Sequence, residues 1–246
     1  MESGIEQIVE KISGNVALAF SHQAEDAAAL HIALSCKALR GRFFAFTLDT
    51  RRFFPETETY HADCEAFFGI KITKYSAADA DINALEMELD GIERIRDSVE
   101  NRLHCCHVRK AMPLKAALAG KSAWITGLRA AQAASRAGLN ILEWDGENKL
   151  VKINPLAAWT DDELDSYIKT NNIPLHPLYK KGFTSIGCAP CTRATAPGED
   201  RRAGRWWWEN GACVECGIHA REAALARKPA AKPETKTSGR LSIING

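Results

Sequence analysis

The sequence contains no long hydrophobic run and carries almost no net charge. No stretch approaches the roughly 20 consecutive apolar residues that a membrane-spanning helix needs, and the segment MESGIEQIVEKISG lacks the basic and apolar parts of a signal peptide. We therefore expect a cytoplasmic protein without membrane contact. The formal net charge is +1, from 32 Lys and Arg against 31 Asp and Glu, so no global field favours nucleic acid and any anion site must be local.

The sequence also lacks a glycine-rich phosphate loop. The segment SHQAED, residues 21–26, follows a short apolar run and precedes a helical pattern. Backbone N–H groups at such a helix N-terminus can receive a phosphate. The segment has none of the glycines of the stronger phosphate signatures, so a nucleotide loop and an ordinary strand-to-helix turn both stay open.

The 246 residues alternate between apolar runs of strand length and helical patterns. Gly69 is expected to close one helix, and Thr160 with Glu163 forms the capping-box pattern that opens another. Such alternation indicates an α/β fold, a parallel sheet with helices on both faces. Strands are predicted within residues 15–20, 42–50, 70–76, 122–128 and 150–155.

We expect three parts along the chain. Residues 1–205 form the α/β domain, and residues 206–227 form a C-terminal segment that moves relative to it. Residues 228–246 include much of RKPAAKPETKTSG, a Lys-, Pro- and Ala-rich composition that buries little apolar surface, and are predicted to be a disordered tail.

Eight cysteines are many for a protein in the cytosol, where thiols stay reduced. Adjacent thiols can be buried small hydrophobes, a strained disulfide or soft-metal ligands. CxxC pairs can bind zinc or an iron–sulfur cluster, or act as a redox pair. The residues alone leave these alternatives open, and the isolated Cys36 and Cys64 are predicted to be buried in helices. The paired cysteines are Cys105 with Cys106, Cys188 with Cys191 in CAPC, and Cys213 with Cys216 in CVEC.

Arginines and tryptophans cluster in two further segments, TGLRAAQAASRA at 126–137 and EDRRAGRWWW at 199–208. Arg suits bidentate recognition of oxyanions, although a solvated surface is the better explanation for any single Arg. The three consecutive tryptophans favour packing over base stacking. His219, in ECGIH, is compatible with a base near Cys216 or with a structural role.

Six motifs occur in one order along the chain: SHQAED, TLDTRRFFPET, CCHVRK, WITGLR, SIGCAPCTRATAPGEDRRAGRWWWE and ECGIH. Together they resemble the assimilatory adenylyl-sulfate reductases, over roughly residues 13 to 220. The resemblance implies an adenine nucleotide α-hydrolase-like fold. It also implies reduction of adenylyl sulfate (APS) to sulfite and AMP in sulfate assimilation, with thioredoxin as the electron donor.

The same resemblance assigns roles to residues. Cys216 is expected to be the nucleophile, because a thiolate suits attack on sulfur with phosphate as the leaving group, giving an S-sulfocysteine. A [4Fe-4S] cluster is expected on Cys105, Cys106, Cys188 and Cys191. Basic groups near the phosphosulfate would stabilise charge on the departing phosphate. The substrate-binding candidates are Lys110, Arg202, Arg205, Ser21, Leu48, Arg129 and Arg136.

Three rival functions are compatible with parts of the pattern. A 3'-phosphoadenylyl-sulfate (PAPS) reductase, or an enzyme of dual specificity, shares ECGxH but usually lacks the cluster cysteines. An ATP pyrophosphatase needs an SGGxDS-like loop, and a zinc-binding module would use the paired cysteines structurally. Cys213 is an extra thiol that could oxidise Cys216 to a disulfide. The oligomeric state, a homo-oligomer included, stays open.

Overall fold

The computed structural model describes residues 2–209, 215, 216 and 218. Cys213, His219 and the tail predicted over 228–246 lie outside the described residues. None of the helices within those bounds is long and apolar enough to cross a membrane.

The chain alternates between strands and helices through its first half. The strands are β1 Val16–Ala19, β2 Phe43–Leu48, β3 Ile72–Tyr75, β4 Ala123–Ile125, β5 Leu142–Asp145 and β6 Leu150–Ile153. The α-helices are α1 Glu2–Glu10, α2 Ala24–Ser35, α3 Pro55–Phe68, α4 Asp79–Leu89, α5 Val99–Cys106, α6 Met112–Leu118 and α7 Asp161–Thr170.

The six strands form one sheet in the order β3-β2-β1-β4-β6-β5. All neighbouring pairs are parallel except β5 and β6, which pair antiparallel at one edge. The chain builds the sheet outward from β1 to β3 and then places β4 on the other side of β1. This reversal leaves a crevice beyond the carboxyl ends of β1 and β4, the place where open α/β sheets bind ligands.

Helices cover both faces of the sheet, as predicted. The larger core packs α1, α2, α3 and α7 against one face, and it contains Cys36 and Cys64, both buried as expected. The other face packs against α6 through Leu114 and Leu118, which meet Phe46 of β2. Because apolar groups cover both sides, β1 is almost completely buried.

Two predicted helix boundaries are confirmed. Gly69 ends α3 in the left-handed conformation, at φ 64°, which glycine adopts without a steric penalty. Thr160 caps α7: its Oγ1 accepts from the Glu163 N–H at 3.2 Å, and the Glu163 carboxylate accepts from the Thr160 N–H at 2.8 Å.

The Cys105–Cys106 pair lies at the end of α5, directly before a π-helical turn over His107–Ala111 that leads into α6. Pro113 lies at the start of α6 and has no N–H to donate to the carbonyl of Arg109. Such a wide turn inside a helix is typical of functional sites. It places Lys110 in the turn that follows the two thiols.

Candidate active site

A large cavity, of about 1090 Å³ including space open to solvent, lies at the crevice beyond β1 and β4. The loop after β1 and the loop after β4 form one side of it, and the end of β2 contributes Leu48. The C-terminal segment closes it with Cys216 and Ile218. Four basic side chains also line it: Lys110, Arg136, Arg202 and Arg205.

A buried carboxylate ties the loop after β1 to the loop after β4. Asp26 accepts from the Ser21 N–H at 2.7 Å, from the Ser21 hydroxyl, and from the Gly127 N–H at 3.0 Å. Burial raises the pKa of Asp26 to about 6 and outweighs these hydrogen bonds, which act in the opposite direction. A side chain at position 127 would lie 2.7 Å from the Asp26 backbone nitrogen, so only glycine allows this approach.

The basic side chains meet the cysteine at the opposite end of the cavity. The Nζ atom of Lys110 lies 3.5 Å from Sγ of Cys216, and the Cys216 side chain is half-buried. Burial alone would lower the pKa of Lys110, but nearby thiolates, chiefly Cys188 and Cys216, raise it instead. Lys110 is therefore a fixed cation beside the thiol, and a positive charge there favours the nucleophilic thiolate.

Two of the three arginines of the EDRRAGRWWW segment, Arg202 and Arg205, line this cavity. Arg205 donates to the Ile186 carbonyl at 3.1 Å and stacks on the Trp206 ring, with its guanidinium carbon 4.6 Å from the ring centre. Burial and the neighbouring charge of Arg136 lower the pKa of Arg202 to about 10. Trp206 is 3% exposed and packs as the sequence predicted. With a pKa of about 10, Arg202 still carries a positive charge at neutral pH.

The residue before the nucleophile candidate is a buried carboxylate. Glu215 accepts from Ser135 Oγ at 2.8 Å and from both Nε and Nη2 of Arg136, at 3.0 and 2.7 Å. Burial alone would raise the pKa of Glu215, but the hydrogen bonds and charge of Arg136, together with Arg202, lower it to about 2. Glu215 is therefore ionised at neutral pH.

The four cysteines predicted as cluster ligands lie together. Cys105, Cys106, Cys188 and Cys191 all line a second, smaller cavity, and none of them is in a disulfide. The two cavities share four lining residues: Lys110, Cys188, Arg205 and Trp206. Burial, followed by the nearby Cys188 charge, raises the pKa of Cys191 to about 12.

The chemistry of this second cavity suits an anionic, sulfur-bound group. Five cations line it: Arg52, Arg102, Arg109, Lys110 and Arg205. Four buried donors on its lining residues lack hydrogen-bond partners among the described residues: Arg52 Nε, Arg109 Nε, Arg205 Nε and Trp206 Nε1. No group of three or more His, Cys, Asp or Glu side chains in the described part of the chain is arranged to hold a metal ion.

Arg129 is the one predicted site residue that the structure does not bring to either cavity. Its side chain is fully buried, pairs with Glu25 at 3.0 Å and with Asp161 at 2.5 Å, and donates to the Trp159 carbonyl at 3.0 Å. These bonds connect α2 with the start of α7. Arg129 therefore supports the loop after β4 from behind.

Several cavity residues were not singled out from the sequence. They include Gly127, whose role depends on the close approach of Asp26 from a distant part of the chain. They also include Glu215, which was quoted only as part of ECGIH. Trp206 is another. It lines both cavities, and this depends on contacts between residues that are far apart in the chain. The remaining predicted residues, Ser21, Leu48, Lys110, Arg136, Arg202, Arg205 and Cys216, all line the large cavity.

Comparison with known proteins gives a consistent result. The family model for the phosphoadenosine phosphosulfate reductase domain matches residues 15–194. The adenosine 5'-phosphosulfate reductase of Allochromatium vinosum is 50% identical over 188 residues, covering 76% of this chain and 73% of that protein. A second, from Rhizobium tropici, is 48% identical over 179 residues, covering 73% of this chain and 99% of that protein.

Solved structures show the same architecture. The phosphoadenylyl-sulfate (PAPS) reductase from Candida auris superimposes with a TM-score of 0.60 at 21% identity, covering 76% of this chain and 87% of that chain. The NH3-dependent NAD synthetase of Campylobacter jejuni gives 0.50 at 17% identity, covering 75% and 76%. The expected adenine nucleotide α-hydrolase-like fold is thus confirmed. With the family match over most of its length, the chain belongs to the phosphoadenosine phosphosulfate reductase domain family.

Proposed function

We propose that this protein is an oxidoreductase that reduces adenylyl sulfate to sulfite and AMP. One observation carries the proposal: the Cys216 thiol lies beside Lys110 in the same cavity as the nucleotide crevice of the sheet. A nucleophile, basic groups for a phosphosulfate and a place for a nucleotide therefore share one space. The names of the two relatives, at 50% and 48% identity, support adenylyl sulfate as the substrate.

The first half of the reaction is nucleophilic attack on sulfur. The Cys216 thiolate attacks the sulfate sulfur, a bond forms between Sγ and that sulfur, and the bond from sulfur to the phosphate oxygen breaks. AMP leaves with the electron pair of that bond. The product on the protein is S-sulfocysteine at position 216. No electron donor is needed for this step, because the two electrons of the thiolate form the new bond.

The second half needs a dithiol, which we propose to be reduced thioredoxin. One of its thiolates attacks Sγ of the adduct and displaces sulfite, giving a mixed disulfide with Cys216. The second thiol of the donor then attacks the mixed disulfide. The donor leaves oxidised to its disulfide, and Cys216 returns to a thiol.

The basic residues act on charge that develops in the first half. Lys110, Arg202 and Arg205 line the cavity at the Cys216 end, where the phosphosulfate must lie for attack. Their charges hold the substrate dianion and stabilise the phosphate as it departs, and a partly desolvated site strengthens that effect. The apolar lining, with Phe46 and Trp124, suits an adenine ring beside the loop that begins at Ser21.

The second cavity is proposed to hold a [4Fe-4S] cluster on Cys105, Cys106, Cys188 and Cys191. Its lining offers four soft donors and cations that offset the net negative charge of a cluster with four thiolate ligands. Bound there, the cluster would link the end of α5 to the CAPC loop through its thiolate ligands. The chain's own contribution is the set of residues that lines both cavities, with Lys110 and Arg205 as its cations.

The test is a comparison of two nucleotides in anaerobically purified protein. We expect sulfite release with adenylyl sulfate and reduced thioredoxin, with a higher kcat/KM than for 3'-phosphoadenylyl sulfate. A site that leaves a buried 3'-phosphate unpaired penalises that nucleotide. Equal values, or a preference for the 3'-phosphorylated form, would overturn the substrate assignment and favour the PAPS alternative.

A further inference from the structure

The large cavity contains an ion pair that the proposed chemistry does not use. The Glu215 carboxylate, 2% exposed, is held by Arg136, with Arg202 Nη2 3.6 Å from it, and Glu215 directly precedes the nucleophile candidate. Ionised carboxylates are rarely buried unless they are paired. The pair therefore needs an explanation of its own.

The geometry indicates that Arg136 is committed to this pair. Its Nε and Nη2 atoms donate to the two carboxylate oxygens of Glu215, at 3.0 and 2.7 Å, and its Nη1 donates to Gln132. This is the bidentate arrangement that fixes orientation as well as distance. Ser135 adds a further bond to Glu215 at 2.8 Å. All three guanidinium nitrogens of Arg136 are thus engaged before any substrate arrives.

A second contact ties the same residue to the cysteine-rich helix. Arg102 of α5 donates from Nη1 to the main-chain carbonyl of Glu215 at 3.2 Å, and its guanidinium also pairs with Glu209. Glu215, the residue before Cys216, is therefore bound to the domain in two ways. Arg136 binds its side chain, and Arg102 binds its main-chain carbonyl.

We propose that Glu215 and Arg136 form a latch that holds Cys216 over the cavity, and that Arg136 is a positioning residue rather than a substrate contact. The latch is the bidentate pair with its Ser135 bond. Closed, it keeps Sγ beside Lys110, where attack on a bound nucleotide takes place. Open, it exposes Sγ to the second protein that must reduce the adduct. This role rests on the proposed function, but the ion pair itself does not.

The first test measures exposure of Cys216 and needs no activity. Anaerobically purified protein without nucleotide is treated with iodoacetamide, and tandem mass spectrometry follows alkylation of Cys216 apart from Cys213. Glu215→Gln and Arg136→Met should each raise the rate at Cys216 at least about tenfold, because each breaks the buried bidentate pair. The double variant should be no faster than the faster single variant, since both remove one interaction.

Two variants guard this test. Glu58→Gln removes the carboxylate of an exposed ion pair with Lys74, neither of which lines the cavity, and should leave the rate unchanged. Ser135→Ala removes only one bond to Glu215 and should give a smaller increase with the fold intact. If none of the latch variants changes the rate, or if the two single effects multiply in the double variant, the latch is wrong.

The second test separates positioning from substrate contact. In a single turnover with adenylyl sulfate, both single variants should form the Cys216 adduct more slowly by a similar factor, while the dissociation constant for AMP stays within about twofold of wild type. Weaker AMP binding in Arg136→Met alone would make Arg136 a substrate contact and overturn the proposal. Absence of any adduct in wild type would instead overturn the proposed function and leave the alkylation result standing.

Discussion

Lys110 Nζ lies 3.5 Å from Sγ of Cys216, although the two residues are 106 positions apart in the chain. The π-helical turn after Cys106 sets the direction of the lysine, and the segment around Glu215 sets that of the cysteine. The contact joins the CCHVRK segment to the C-terminal segment that bears Cys216. Replacing Lys110 should therefore slow the attack by Cys216 directly.

Replacing Lys110 with Met should lower kcat/KM for adenylyl sulfate by about 10²- to 10³-fold, the usual cost of losing one fixed charge at a reacting centre. Methionine keeps the apolar stem and removes only the cation. Lys115→Met is the matched control, since Lys115 is exposed on α6. Equal losses in both variants would mean that Lys110 acts through stability and not through its charge.

Gly127→Ala should disturb the nucleotide end of the cavity. A Cβ there would lie 2.7 Å from the Asp26 nitrogen and 2.8 Å from the Glu25 carbonyl carbon, both backbone atoms that cannot move aside cheaply. We expect a loss of about 1–3 kcal/mol in the free energy of unfolding and weaker AMP binding. Gly138→Ala meets nothing within 4 Å and should match wild type in thermal unfolding and AMP binding. Unchanged AMP affinity in Gly127→Ala would contradict the site.

The cysteine-lined cavity makes a prediction about composition. Anaerobically purified protein should contain about four iron atoms and about four acid-labile sulfides per chain. Cys191→Ser should lower both, whereas Cys64→Ser, in the larger core, should leave both unchanged. Stoichiometric zinc without sulfide would support the zinc alternative instead.

His176 should make stability depend on pH. Its Nδ1 accepts from the Leu178 N–H at 3.2 Å and its Nε2 lies 2.9 Å from Thr57 Oγ1, while burial lowers its pKa to about 4. The unfolded chain, in which a histidine titrates near 6.5, binds more protons between those values. Stability should therefore fall as the pH is lowered from about 6.5 to about 4. The thermal midpoints of wild type and His176→Asn should therefore converge as the pH is lowered over that range. A constant difference between the two midpoints would contradict the assignment.

Local signals were enough to predict most of the fold. The apolar runs of β1 and β2, the closing Gly69 and the capping pair of α7 depend on neighbours in sequence, and all were found where expected. The edge strand β5 was not predicted, because Leu142 and Trp144 are exposed and LEWD is a short segment without a buried stripe. The π-helical turn also has no local signature beyond Pro113.

The site could be predicted only as far as the family resemblance reaches. Arg129 and Arg136 look alike in the sequence, yet Arg129 is buried against Glu25, 104 residues away, and Arg136 pairs with Glu215, 79 residues away. Neither partner is visible from spacing, because ion pairs of this kind depend on tertiary contacts. This is also why the seven cavity residues could be named individually but their partners could not.

An adduct at Cys216 is the most direct test of the proposed reaction. Anaerobically purified protein is mixed with adenylyl sulfate in the absence of any thiol, and its intact mass and released AMP are measured. We predict a gain of one SO3 group per chain, located on Cys216 by fragmentation, with one AMP released per adduct, and neither in Cys216→Ser. Sulfite release by Cys216→Ser with thioredoxin, or an adduct located on Cys213, would contradict the account.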